Sequence, residues 1–376
     1  MGYNHPPAML PLHRPAPPRP AHGARALIGC VATVVLAAGT AAANGGGAAP
    51  QQAEADDDLD AAWQEALGLR PTEGAVAAEG AREDASDAFD AEPAFQPDGR
   101  GAAWHWDFEL SGRQLGRAGL DDANGDVERR TYGIDLSVTD RRGRSGWRFD
   151  YGFDAHQYRF SGATGLLPGT DAPVESLVTH RFDAIYRGVL GGGWSGTALV
   201  GFDIGMETGA DIGDALTWRA LALAGRDVRE DLAIQVGVFA FDRLEDDPFV
   251  VPAIGFDWRI DAATRLAIYG PRARFSYRYD DDAEFFVRAA YRNDQFRLDD
   301  SGPNPEGTFS DAAFSVVAGM RFDAGIGEGV LATARLEVYA GAIVDRELEF
   351  RIGDVEVGSS DVSSGVVFGL NYTFGL

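Results

Sequence analysis

From Ala102 to the C-terminus, apolar and polar residues alternate with a period of two, the signature of strands lying between two environments. Trp147, Phe149, Tyr151 and Phe153 share one face of a strand whose other face carries Arg148, Asp150, Asp154 and His156. Phe182, Ala184 and Tyr186 then oppose Arg181, Asp183 and Arg187. Phe285, Val287, Ala289 and Tyr291 alternate with Glu284, Arg288 and Arg292, and Phe314 to Phe322 repeats the scheme against Arg321 and Asp323.

Three further features separate this pattern from a soluble β-sandwich. The alternating runs exceed the ~5–6 residues usual for sandwich strands and reach the ~9–11 needed to cross a bilayer. Aromatic residues gather on the apolar face, as interfacial girdles do. Short links near 140–145, 191–193, 227–230, 261–263, 280–282 and 324–327 alternate with long polar ones near 114–126, 161–176, 207–214, 299–308 and 353–363. The pattern predicts an all-β fold, a transmembrane antiparallel β-barrel over 101–376. At the chain end Val366, Phe368, Leu370, Tyr372, Phe374 and Leu376 alternate strictly. This looks like the terminal strand by which barrel-assembly machinery recognises its clients, although Leu replaces the usual final Phe.

Strand number turns on Leu266–Tyr279. Read as unbroken alternation, it is one long strand kinked at Gly270-Pro271, and the barrel has about 12 strands. Read with a turn at Gly270-Pro271, the barrel has 14 and both ends of its chain lie on the periplasmic side. Halves that short would span a bilayer poorly, which favours 12.

Composition shapes the rest of the picture. No apolar run of helix-spanning length occurs after the N-terminal region. Arg14, Arg19 and Arg25, the apolar run from Ala26 to Ala38 and the small residues Ala41-Ala42-Ala43 make 1–43 read as an export signal. Residues 44–100 hold 14 acidic and 3 basic residues and little apolar surface, so an acidic disordered linker is expected; within it Leu59–Leu67 could form a short amphipathic helix. Net charge is −25, which argues against nucleic acid as a partner. Every basic residue is Arg, and the lone cysteine, Cys30, leaves no intramolecular disulfide.

The stretch Asp246-Asp247-Pro248-Phe249-Val250-Val251-Pro252-Ala253-Ile254-Gly255-Phe256, with Leu266-Ala267-Ile268-Tyr269-Gly270-Pro271 and Tyr277, resembles a family of exported outer-membrane barrels catalogued as a domain of unknown function. The resemblance implies the barrel fold and an outer-membrane location in a diderm bacterium. It implies no solute.

The polar parity of the strands supplies lumen-facing candidates: Arg148, Asp150, Arg181, Asp183, Arg187, Arg272, Arg274, Arg278, Arg288, Arg292, Arg335 and Glu337. Arg219, Asp257, Arg259, Glu284 and Arg321 share that parity. Arginines opposed by carboxylates could set a field that filters solutes, or could fill a narrow lumen with salt bridges. His156, beside Asp154 and before a loop with Ser161, Thr164 and Asp171, is the best candidate base for an enzyme, but a lumen or rim position explains it as well. His180 falls on the apolar parity. The acidic runs Glu245-Asp246-Asp247 and Asp280-Asp281-Asp282 lack the spacing of a calcium loop and read as turns. We therefore expect no catalytic, cofactor or metal site. The expected role is a porin-like pore or transporter-like channel whose partners are outer-membrane lipid and the assembly machinery. A structural or surface-interaction barrel with an occluded lumen is the alternative, and an envelope lipid-modifying enzyme stands third.

Overall fold

The computed structural model describes residues 104–375 apart from 143–144, 168, 302–306, 325–332 and 354. The expected export signal, the acidic segment 44–100 and Leu376 lie outside the described residues.

Among the described residues fifteen strand segments succeed one another. The first five are β1 (Trp104–Gly119), β2 (Asp126–Arg142), β3 (Ser145–Ser161), β4 (Ser176–Gly191) and β5 (Trp194–Glu207). Next come β6 (Leu216–Arg229), β7 (Leu232–Arg243), β8 (Asp246–Arg259), β9 (Thr264–Tyr269) and β10 (Arg272–Arg278). The last are β11 (Ala283–Arg297), β12 (Thr308–Ala324), β13 (Thr333–Ile352), β14 (Val355–Val362) and β15 (Gly365–Gly375). Pairing is antiparallel around the sheet, and β1 pairs β15 from Asp107↔Gly375 to Leu115↔Val367, so the sheet closes on itself. Closure matters because an open edge in a membrane would leave a row of backbone groups without partners.

β14 and β15 lie end to end along β13, so they are two parts of one wall strand and the barrel has fourteen strands. This is the larger of the two expected numbers, and Gly270-Pro271 is a turn rather than a kink. Tyr269 pairs with Arg272 across it, and Gly270 takes a left-handed φ of 53°. The side-chain phase does change there. Leu266 and Ile268 share one face with Ala273 and Phe275 of the returning strand, an even-to-odd shift that a two-residue turn requires. A second correction concerns 353–363, expected as a loop. Most of it is β14, paired to the upper half of β13 from Arg346↔Val362 to Ile352↔Val355.

Both ends of the described chain fall on one rim, with the links 192–193, 230–231, 260–263 and 279–282. In the 260–263 turn the Asp261 carboxylate accepts hydrogen bonds from the Ala263 and Thr264 amides, which hold its pKa below the usual carboxylate value. Exposed Trp104, Trp106, Trp147, Tyr186, Trp194 and Phe322 ring this rim, and Trp147 packs on Tyr186 at 5.0 Å. On β3 the outward face is apolar from Trp147 through Ala155 and polar from Gln157. At ~3.4 Å per residue and a tilt of ~40°, that apolar run is about 21 Å high, close to the ~25 Å band of membrane barrels.

The wall is uneven. β13 has 20 residues, whereas β9 and β10 have 6 and 7. By the same rise and tilt their hairpin climbs only about 13–16 Å and stops inside the apolar band. Next to it the upper end of β11 leaves the wall and crosses the lumen, where Arg297 pairs in parallel with Met206 of β5. Gly205 permits this approach, since a Cβ there would lie 2.1 Å from the Gln295 carbonyl oxygen.

Candidate functional site

The barrel interior is the candidate site, and it falls into three zones. At the upper, far rim a neck is closed by charge. Arg129 (β2) bonds Asp294 (β11) at 2.5 Å and Asp311 (β12) at 2.8 Å. Arg346 (β13) grips both oxygens of Asp311 at 2.8 Å, and the Tyr158 hydroxyl (β3) donates to the same carboxylate at 2.7 Å. Arg292 continues the chain from Asp294 (2.7 Å) to Asp154 (3.7 Å), and Arg181 from Asp154 (3.2 Å) to Asp135 (3.7 Å). Charges of alternating sign thus cross from one wall to the other, and the side chains of Arg129, Asp294, Asp311 and Arg346 are at most 3% exposed. Such a network persists only when each charge is matched, because an unmatched buried charge is costly.

An apolar plug sits with the neck. Val127, Leu177, Phe296, Phe309, Leu348 and Phe350 are fully buried in it, with Phe309 and Phe350 at 4.7 Å. The loop between β3 and β4 contributes Ala163, Leu166, Leu167 and Val174, so this polar-looking segment turns its few apolar residues inward as a cap.

The lower zone is open by contrast. Side-chain exposure is 34% at Asp135, 24% at Arg148, 26% at Arg265 and 45% at Arg335. These groups pair locally: Arg148 with Asp150 and Ser137, Arg265 with Asp257, Arg335 with Asp323. These wetted pairs mark a vestibule at the rim that carries the chain ends, while Arg274, Glu284 and Glu337 on its β10–β13 side are only 10–15% exposed.

The third zone is apolar and occupies the β4–β9 arc. Ile185, Leu199, Leu221, Leu223, Phe239 and Phe241 are buried there, with Phe249, Val251, Ala253 and Tyr269 packed against them. None of these was singled out from sequence as lumen-facing. In β6 the reason is plain: Ala220-Leu221-Ala222-Leu223-Ala224 carries no alternation in polarity, so parity cannot say which side faces inward. Burial of the leucines and of Arg219 on the same parity decides it. One sequence signal was available on β11, where the outward parity runs Phe285, Val287, Ala289, Tyr291 and then turns polar at Asn293 and Gln295. That change marks where the strand leaves the lipid-facing wall.

The expected lumen residues are therefore distributed over the zones rather than gathered into one filter. Arg181 and Arg292 belong to the neck. Asp183 meets Arg219, which also bonds Asp203 at 2.7 Å. Arg274 lies between Glu284 (3.3 Å) and Glu337 (3.1 Å) and over the Phe286 ring, while Arg288 lies over Tyr339. Arg321 bonds Glu284 and Asp323. Arg272 is buried opposite Ala290, Arg187 is partly buried, and Arg278 and Arg259 are exposed near the lower rim.

His156 is fully buried beside Arg129. Its Nδ1 accepts from Arg129 (3.0 Å) and lies 3.2 Å from the Thr131 hydroxyl; its Nε2 lies 3.3 Å from Thr179. The hydrogen bonds of both ring nitrogens go to Arg129, Thr131 and Thr179 rather than to Ser161, Thr164 or Asp171 of the following loop. His180 instead meets Tyr151, whose hydroxyl lies 3.1 Å from its Nδ1. Glu245 bonds Arg297, and Asp280 accepts from the Asp282 amide.

No protein-family model matches the chain, and no curated protein matches it in sequence. Among solved structures it is similar to an outer membrane channel of Pseudomonas putida F1, at 10% identity and TM-score 0.38, covering 73% of this chain and 96% of that one. The translocator domain of the autotransporter NalP from Neisseria meningitidis gives 14% identity and TM-score 0.33, covering 84% and 97%. The toluene transporter TbuX of Ralstonia pickettii gives 11% and 0.33, covering 73% and 90%. These are likenesses of barrel to barrel, and the lumen must be read from its own residues.

Proposed function

We propose that this protein is a channel of the outer membrane of a diderm bacterium, reached by export and inserted through recognition of its terminal strand. The closed barrel with an outward apolar band supports the location, and short links on the rim of the chain ends make that rim periplasmic. The observation that carries the channel reading is the gradient of exposure inside the barrel. Arg148, Arg265 and Arg335 at the lower rim are 24–45% exposed, Arg274, Glu284 and Glu337 are 10–15% exposed, and the neck charges are at most 3%, which supports a hollow that narrows to a closure at the neck. A barrel held together by its lumen alone would be dry throughout.

The neck also favours a second reading, a structural barrel with an occluded lumen, because one ionic network ties β2, β11, β12 and β13 together. Planar-bilayer recording separates the two. A variant carrying Phe309→Ala and Phe350→Ala should conduct in discrete steps larger than any seen with the unaltered protein. If that variant shows heat-dependent gel migration, and so is folded, yet passes no current, the hollow is not continuous and the structural reading stands.

A further inference from the structure

The wall has a window. Its sill is the β9–β10 hairpin, where the Gly270 amide donates to the Ile254 carbonyl at 3.1 Å and the Tyr291 amide to the Pro271 carbonyl at 3.2 Å. Above the sill, among the described residues, β8 pairs with β7 alone, and β11 with β12 and, at Arg297, with Met206 of β5. The lintel joins the β7–β8 turn to β11: the Leu244 amide donates to Gln295 Oε1 at 3.1 Å, and Glu245 bonds Arg297.

This window lies at lipid depth. The outward residues of β8 stay apolar above the sill, with Val250 at 64% and Ile254 at 61% exposure. An unpaired strand edge there would ordinarily be costly, and each side is relieved differently. Pro248 and Pro252 have the parity of Ile254, whose carbonyl points toward β9, so their missing N–H groups fall on the open edge. Proline within a sheet belongs on such edges. β11 relieves its own edge by folding into the lumen. The wall is dented there: Phe314 lies on the lipid-facing parity yet is fully buried, with Ile268, Tyr291, Val316 and Val344 around it.

Both sides of the opening are apolar. Outside lies the dent, and inside Phe249, Val251 and Ala253 continue into the Phe239–Phe241 patch. Behind it lies a cavity of about 40 Å³, lined by Phe239, Phe241 and Leu244 together with Asp203, Arg219, Asp242, Arg243, Asn293 and Gln295. That is room for a few waters, so passage requires the β11 end to shift from Gly205.

We propose that small uncharged apolar molecules move between the bilayer and the lumen through this window between β8 and β11, with the upper end of β11 as its gate. The proposal rests on the channel reading and names its solute class. A charged solute is disfavoured at the opening itself, because Val250 and Ile254 outside and Phe249, Val251 and Ala253 inside are apolar, and the charges of Asp203 and Arg219 in the cavity behind are already paired with each other.

The test uses the full chain with Cys30→Ser, reconstituted in liposomes, with a bimane fluorophore at one introduced thiol and lipids bearing a nitroxide on the acyl chain. Val251→Cys reports the window, Val250→Cys the lipid face, and Ser137→Cys the opposite lumen wall. Nitroxide quenching at the Val251 site is expected within about twofold of the Val250 site and several-fold above the Ser137 site. Naphthalene, the apolar probe, should at least halve quenching at the Val251 site while leaving the Val250 site unchanged; glucose should do neither. Quenching at the Val251 site no greater than at the Ser137 site, or an equal response to glucose, overturns the window. If that happens while the neck variant conducts, the channel reading survives as an axial one.

Discussion

On the side of β2, β3 and β11–β13, the lumen is crossed by paired arginines and carboxylates, of which Arg129, Asp294, Asp311 and Arg346 are dry. On the side of β4–β9 a single buried ion triad, Asp183–Arg219–Asp203, is surrounded by leucine, isoleucine and phenylalanine, and the wall beside that coat is only half height. Both regions are interior and both come from alternating strands, yet they deal with burial in opposite ways. The charged side depends on pairing, because a buried ion without its partner is far more costly than an apolar group of the same size. It is therefore rigid by construction. The apolar side depends on area, which tolerates sliding, and the β11 end lies between the two: Asp294 and Phe296 face the neck, while Gln295 and Arg297 hold it to the β7–β8 turn. A neck made of ions and a gate made of apolar surface are what those two kinds of energy favour.

The harshest way to break the contrast is Asp311→Ala. It strands Arg129 and Arg346 in the dry neck, and a loss of at least ~3–5 kcal/mol is expected, read as a lower midpoint for loss of the folded band on heating. Phe309→Ala attacks the same neck through packing. It should cost about 3 kcal/mol by leaving a cavity against Phe296 and Phe350, and urea titration in detergent would measure it. Crossing to the apolar side, Gly205→Ala places a methyl against the Gln295 carbonyl. A cost of ~1–3 kcal/mol is expected, together with faster amide exchange at Gln295 and Arg297. Equal exchange there and at Phe309 would erase the difference between gate and neck.

Two small effects sharpen the comparison from outside it. Arg335→Ala removes a wetted vestibule pair and should change stability by less than ~1 kcal/mol; a neck-sized effect would mean that the vestibule is dry. Asp261 has a lowered folded pKa, so its turn adds stability above the unfolded carboxylate value, and that stability fades as pH falls through the folded one. Asp261→Asn should therefore narrow the gap between unfolding midpoints at pH 6 and pH 3, slightly and without touching the neck.

The sequence made the barrel legible because alternation, aromatic clustering and link lengths are local. It also held the objection that halves of Leu266–Tyr279 are too short to span. That objection is physically sound, and the structure answers it with a window rather than with a longer strand. The shift in phase from Leu266 and Ile268 to Ala273 and Phe275 was present in the letters and points to the turn. Pro248 and Pro252 mark the open edge in the same way. The apolar arc was hidden, since alternating Ala and Leu in β6 looks alike from either side.

What the chain determined by itself was the strands, their two faces, the small residues at turns and the edge prolines, all set by backbone and side-chain properties within a few residues. What only the tertiary structure decided was which charges meet and which side of a uniformly apolar strand turns inward. It alone also decided where β11 leaves the wall for β5. Arg129 and Asp311 stand 182 residues apart, and nothing local selects that pair. Closure of the sheet brings them together, and the dry neck then makes their pairing obligatory.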